Sequence, residues 1–358
     1  VTQNLYDGGQ TTAATDRAEN DIRAERARLD DTEQDLLLDV ASAYMSVLRD
    51  QAVLELNRNN ERVLGRQLDA TSDRFDVGEV TRTDVAQAEA RVSGSTADRI
   101  QAEGQLEISR AQYLRIVGKL PEALQDPPVQ ENLPKSRDEA ITLATEGNPN
   151  VRAATFDQQS AQGLVRQIEG ELLPTVDLVG RAQKSRNVSA SDSSLDSLAL
   201  TAQLTVPIYQ QGEVTSRVRE AKHMVSRSQQ IIEEARRVAA EDAKSAWERL
   251  ETARARRASL NSEVRAAQIA LDGVRQEARV GSRTVLDVLD SEQELLDAQV
   301  DLVRAERDEV VARFEVLAAV GQLTARSIGL GAELYDPEVH YTQVRGKLWG
   351  LGEEIDGK

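Results

Sequence analysis

Asp287 and Asp290, three residues apart, are the carboxylates in this chain whose spacing could do chemistry. On a helix that separation puts both on one face, which in itself can be no more than a solvated surface. Asp287 also has a structural use. Thr284 stands as an N-cap, and Asp287 follows three residues later in the position of a capping-box acid. Just upstream, Gly281 after Val280 can supply the positive φ of a helix C-terminus. The stretch Glu277 to Gln299 therefore reads as a helix end, a tight turn and a helix start. A near-copy runs from Arg74 to Arg91, with Val77-Gly78, Thr81, Asp84 and Val85 matching Val280-Gly281, Thr284, Asp287 and Val288. Asp290 has no counterpart there, because Gln87 stands in its place.

No other chemistry suggests itself. Cysteine is absent, which removes disulfides, thiol reactions and thiolate metal sites. His223 and His340 lack Asp, Glu or His at ligand spacing and read as structural or surface residues. No nucleophile–base pair, metal-spaced cluster or phosphate loop occurs, so neither an enzyme nor a cofactor or metal is expected. A net charge of −17 with no basic stripe argues against nucleic acid. There is no run of about 18 apolar residues, so no transmembrane helix is expected. No signal peptide is visible, and the opening VTQNLYDGG resembles the middle of a structure.

The elements that carry the tips are long helices. Aromatics are 3% of the chain and charged residues 29%, with Ala, Leu, Glu, Gln, Arg and Asp dominant, a composition for helices packed through small side chains. Gly9 and Gly212, Gly78 and Gly281, and Gly118 and Gly321 are each separated by 203 positions, as are Asp84/Asp287, Glu89/Glu292 and Leu120/Leu323. Anchors this far apart keep one offset without insertion, so the chain is a tandem duplication. Each unit holds a helix of about 60 residues, a Val-Gly tip and a returning helix, in the second unit roughly 213–279 and 284–320; at about 1.5 Å per residue the first would span on the order of 100 Å. The returning helix has a heptad stripe at Leu289, Leu296, Val303, Val310 and Leu317, flanked by Val288, Leu295 and Leu302 and by Ser291, Ala298, Ala305 and Ala312. A two-stranded coiled coil needs one narrow seam; adjoining seams require neighbours on both sides.

Residues 198–208 differ, with Leu198, Leu200, Ala202, Leu204, Val206 and Ile208 alternating strictly with other residues. This predicts an 11-residue strand with one apolar face, a length suited to a tilted barrel strand of about 9–11 residues. Residues 174–183 predict a partner with Val176, Leu178, Gly180 and Ala182 on one face, joined through a polar loop over 185–197. Two strands do not stand alone, so others must come from further subunits. The division is then 1–120 for the first repeat, 121–323 for the second (connector and helix 121–172, hairpin 174–208, helical hairpin 213–320), and a tail, 324–358, lying along the helix exterior.

The segments VPIYQQGE, LPTVDL, RFDVGEVTRTDV and VGSRTVLDVLD together resemble the TolC family of outer-membrane channel-tunnels over nearly the whole chain, up to about Gly331. That resemblance implies a mainly α fold with a small β part. It implies a homotrimeric α-barrel with a mixed α/β equatorial belt and a shared twelve-stranded β-barrel, each protomer giving two strands per repeat. It further implies a bacterial outer-membrane exit duct extending into the periplasm, for drug efflux or type I secretion, served by a periplasmic adaptor and an inner-membrane RND or ABC transporter. Carried over by position, Asp287 and Asp290 form the gate constriction, and Arg283 with Thr83 and Asp84 forms a latch. Val77-Gly78 and Val280-Gly281 form the adaptor-docking tips. The family's aromatic four positions after Arg275 is absent, with Glu277, Ala278 and Arg279 in that turn, so its hydrogen bond to Asp84 is not expected.

Residue 1 aligns with residue 204, while the second unit begins near Ser136. Some 68 residues of the first unit, a helix and one strand, thus lack a counterpart, and an upstream segment with a secretory signal is expected. The competing reading is a soluble coiled-coil scaffold, which has no use for residues 198–208.

Overall fold

In the computed structural model the described residues are 1–121, 124–125, 127, 132–186, 194–330 and 335–347. The elements run β1 (Thr2–Tyr6), α1 (Gln10–Asp76), α2 (Arg82–Val117), α3 (Arg137–Gly147), α4 (Pro149–Gly170), β2 (Thr175–Arg186), β3 (Ser194–Thr205), α5 (Glu213–Arg279), α6 (Val285–Ala319) and α7 (Pro337–Arg345). The fold is mainly α with a small β part. Both long helices, α1 and α5, have 67 residues, and their ends obey the offset seen in the sequence. The anchoring glycines at both ends of the hairpins, Gly9/Gly212 and Gly118/Gly321, share positive φ values of 76–83°. Expected parts of the connector (122–123, 126, 128–131), the hairpin loop (187–193) and the tail (331–334, 348–358) lie outside the described residues.

Two compact units each draw on both repeats. The first comprises residues 1–31, 145–239 and 332–358. Its antiparallel sheet has the order β1-β2-β3, with Val176, Leu178, Gly180 and Ala182 opposite Leu204, Ala202, Leu200 and Leu198. The apolar side chains thus share one face, as alternation predicts. Both strands run further toward the loop than the apolar pattern does. Pairing continues through Lys184 and Asp196, whose charges meet at 3.5 Å, to Arg186 and Ser194. At the other end β3 stops at Thr205, short of the expected 208, where Pro207 has no N–H to donate. Every residue of β3 is exposed, Leu198 to 87%.

Beneath the sheet, Ile168, Val214, Val218 and Ala221 pack α4 on the start of α5. Gly8 allows α4 to end against the β1–α1 turn, since a Cβ there would sit 2.3 Å from the Gly170 carbonyl oxygen. The tail helix α7 lies on α1. Arg345 meets Glu19 at 2.7 Å, Glu338 pairs with Arg26, and the Arg26 guanidinium sits 4.8 Å from the centre of the Tyr341 ring.

The second unit comprises 32–144 and 240–331. Here α6 buries adjoining stripes: Leu289, Leu296 and Leu317, with Val288 and Leu295 on one flank and Ala298, Ala305 and Ala312 on the other. Leu250 of α5 packs on Val316, and Phe314 and Leu317 pack against Leu37, Leu38 and Ala41 of α1. Among the alanines lies a buried acid, Glu309, 5% exposed. It accepts a hydrogen bond from Arg257 of α5 at 3.0 Å and pairs with Arg313 one turn along. Burial pushes its pKa up, but the two guanidiniums outweigh that and hold it below the usual carboxylate range.

Candidate gate at the helical tips

Each tip joins two matched caps. On the incoming helix, Gly281 (φ 78°) lets Ser282 N–H donate to Glu277 O at 3.0 Å and its own N–H to Ala278 O at 3.1 Å. Gly78 (φ 81°) does the same for Arg74 and Phe75, at 2.8 and 2.9 Å. These are Schellman caps, which satisfy the last carbonyls of a helix. On the outgoing helix Thr284 donates from its backbone N–H and hydroxyl to Asp287 Oδ2, at 2.8 and 2.7 Å, and accepts from the Asp287 N–H at 3.2 Å. Thr81 and Asp84 repeat this capping box at 2.8, 2.8 and 3.3 Å. Only Glu79-Val80 in one tip, and Ser282-Arg283 in the other, lie between the caps.

The two tips face a common groove of about 620 Å³, lined by Arg74, Gly78 and Asp84 from one and by Gly281, Arg283 and Thr284 from the other. Beside it Leu64 and Ala88 pack against Val285 and Leu289 and hold the two hairpins together. Val77 and Val280 project from the tips, 71% and 81% exposed.

The expected site residues are brought together unequally. Asp287 and Asp290 share the start of α6, but their surroundings differ. Asp287 is held by Thr284, whose hydroxyl and then backbone N–H keep its carboxyl below the usual range. Asp290 is paired with Arg91 of α2. Arg283 and Asp84 line the same groove without meeting in the protomer. Arg283 donates to Glu277 at 2.8 Å, which raises its pKa further, and Asp84 is held by the backbone and then the hydroxyl of Thr81, which lower its own. Thr83 is exposed on the first turn of α2.

Sequence reasoning missed Arg91 and the role of Glu277. Arg91 pairs across 199 positions and outside the repeat's own alignment, so no local spacing marks it. Glu277 lies in the turn that lacks the family's aromatic, and its spacing of six from Arg283 across a glycine turn is the signal for their pairing. Arg275 is likewise engaged, with Glu292. Among the described residues no cluster of three or more His, Cys, Asp or Glu could hold a metal, and no helix is long and apolar enough to cross a membrane.

Comparison with known proteins agrees with this architecture. The outer membrane efflux protein BepC of Brucella suis is 35% identical over 98% of this chain and 77% of its own. The outer membrane protein TolC of Escherichia coli is 26% identical over 92% of this chain and 69% of its own. In structure, the outer membrane protein VceC of Vibrio cholerae superposes with a TM-score of 0.74 over 89% of this chain and 78% of its own, at 18% identity, a likeness of fold. The profile described as outer membrane efflux protein matches residues 1–119 and 140–322, and the chain belongs to that family.

Proposed function

We propose that this chain is one protomer of a homotrimeric exit duct in the bacterial outer membrane, extending into the periplasm. It would pass efflux substrates or secreted proteins delivered through a periplasmic adaptor by an inner-membrane RND or ABC transporter. The observation that carries the reading is β3, a 12-residue strand exposed along its whole length with an apolar face. An open sheet edge has no place in lipid, where backbone groups are satisfied only in helices or closed barrels. Strands from further copies close such a barrel. A soluble coiled-coil scaffold would leave this face without a use.

In this reading Asp287 and Asp290 form rings of carboxylates at the constriction, and Arg283, Asp84 and Thr83 latch neighbouring protomers. Arg283 pairs with Glu277 within the protomer and not with Asp84, which supports a latch made between neighbouring protomers. Val77-Gly78 and Val280-Gly281 offer the apolar tips and groove to the adaptor. A carboxylate-lined constriction concentrates small cations, excludes anions and is plugged by multivalent cations that bridge neighbours.

The test is conductance of the purified trimer in a planar bilayer. Cation selectivity is expected, with block by hexaamminecobalt(III) added on the periplasmic side and lost in Asp287→Ala/Asp290→Ala. A channel without cation preference, blocked equally in parent and double variant, would leave these aspartates as helix caps only.

A further inference from the structure

The two aspartates of the constriction are stabilised by groups of different charge. Asp287 receives its hydrogen bonds from Thr284, through neutral donors that leave its negative charge in place. Asp290 receives the Nη2–H of Arg91, a cation. Arg91 lies one heptad after Asp84, and Asp290 three residues after Asp287, so the pair sits a turn or more behind the caps. Its spacing is set by apolar packing: Ala88, three residues before Arg91, lies in one cluster with Leu289, which adjoins Asp290, and Val92 packs against the same cluster. Of the other cations near the tips, Arg275 pairs with Glu292, Arg283 with Glu277 and Arg74 with Glu79. Arg91 is the cation in direct contact with Asp290.

We propose that Arg91 determines the selectivity of the constriction by neutralising the ring of Asp290 carboxylates. This deepens the gate reading above and rests on it. With Arg91 in place, threefold symmetry brings as many guanidiniums as Asp290 carboxylates to that level of the bore. The field that draws cations in the closed duct then comes from Asp287 alone, half the carboxylates that the sequence supplies. Because the pair joins α2 to α6, the neutralisation lasts as long as the two hairpins stay apposed.

The experiment is block of the full-length trimer in planar bilayers by hexaamminecobalt(III), added on the periplasmic side. Arg91→Gln exposes the Asp290 ring and should lower the half-blocking concentration by about tenfold or more, because every unmasked carboxylate acts on a trivalent ion. Arg91→Lys, which keeps the charge, should stay close to the parent. Arg91→Gln/Asp290→Asn removes both charges and should return to within about twofold of the parent. Unchanged block in Arg91→Gln overturns the proposal. So does a double variant blocked as weakly as Asp290→Asn alone, since Asp290 would then have been acting unmasked. The double variant leaves no unpaired charge and decides the matter even if Arg91→Gln does not trimerise. Asp287→Asn separates the two readings. If it weakens block while Arg91→Gln is silent, the gate stands and the Arg91 assignment falls; if it too is silent, both fall.

Discussion

Glu309 offers the sharpest test of how the helices are held. Its carboxylate is nearly withdrawn from water between Arg257 and Arg313. Glu309→Ala removes the acceptor and leaves two guanidiniums with unequal escape routes. The Arg257 side chain is 45% exposed and can turn to solvent, whereas that of Arg313 is 19% exposed and must stay. Stripping one partner from a buried pair costs about 3–5 kcal/mol. With one arginine free to leave, the lower end applies, about 3 kcal/mol. Glu309→Gln keeps the shape and an acceptor and should cost about 1–2 kcal/mol. The loss is local to α5 and α6, so the assay is native-state hydrogen exchange of the amides around 305–316. An increase of about a hundredfold in exchange rate is expected for Glu309→Ala. The pH dependence has a fixed sign. The folded pKa lies below the ordinary 4.5, so the stabilisation is fully present above that value and is lost as pH falls through the folded pKa. Protection in Glu309→Ala within about threefold of the parent, at neutral pH, would mean that alanine packing alone holds these helices.

Further outcomes follow from the tips and the sheet. Arg283→Ser or Asp84→Ala should raise single-channel conductance without changing trimer yield, and Glu277→Ala, which frees Arg283, should not; unchanged conductance in the first two removes the latch. Gly281→Val forces a branched side chain into a φ of 78° with no steric neighbour within 4 Å, so its cost is backbone strain alone, about 1–3 kcal/mol, read as faster exchange of the Ser282 amide. Leu200→Arg puts a charge on the apolar face of β3 at a cost of about 2–4 kcal/mol near mid-bilayer, and should reduce folded trimer in the outer membrane, while Thr201→Arg on the opposite face should not.

Much of this was legible in the chain because it is written locally. A glycine that ends a helix and a threonine with an aspartate three residues on are decided within one turn, and the fixed offset read between Gly78 and Gly281 reappears in the ends of α1 and α5. The apolar alternation of 198–208 located β3 but not its limits. Strand pairing carries the ladder past the apolar residues into Lys184 and Asp196, and Pro207 shortens the other end. Side-chain partnerships resisted reading most. The pairing of Asp290 with Arg91 has no local mark, and that of Arg283 with Glu277 only a spacing across the turn, because the choice among the many arginines of an acidic chain depends on which helices lie side by side.

The double caps have a consequence for how such a chain diversifies. In each tip the backbone path is dictated by a glycine on one side and a threonine–aspartate pair on the other, and the side chains between them bond within their own tip, Glu79 to Arg74 and Ser282 and Arg283 to Glu277. The two intervening residues already differ completely, Glu79-Val80 against Ser282-Arg283, on turns of matching geometry. The frame and the lettering are separate. Mutation at these two positions can change the exposed surface of a tip while the caps on either side keep its backbone path.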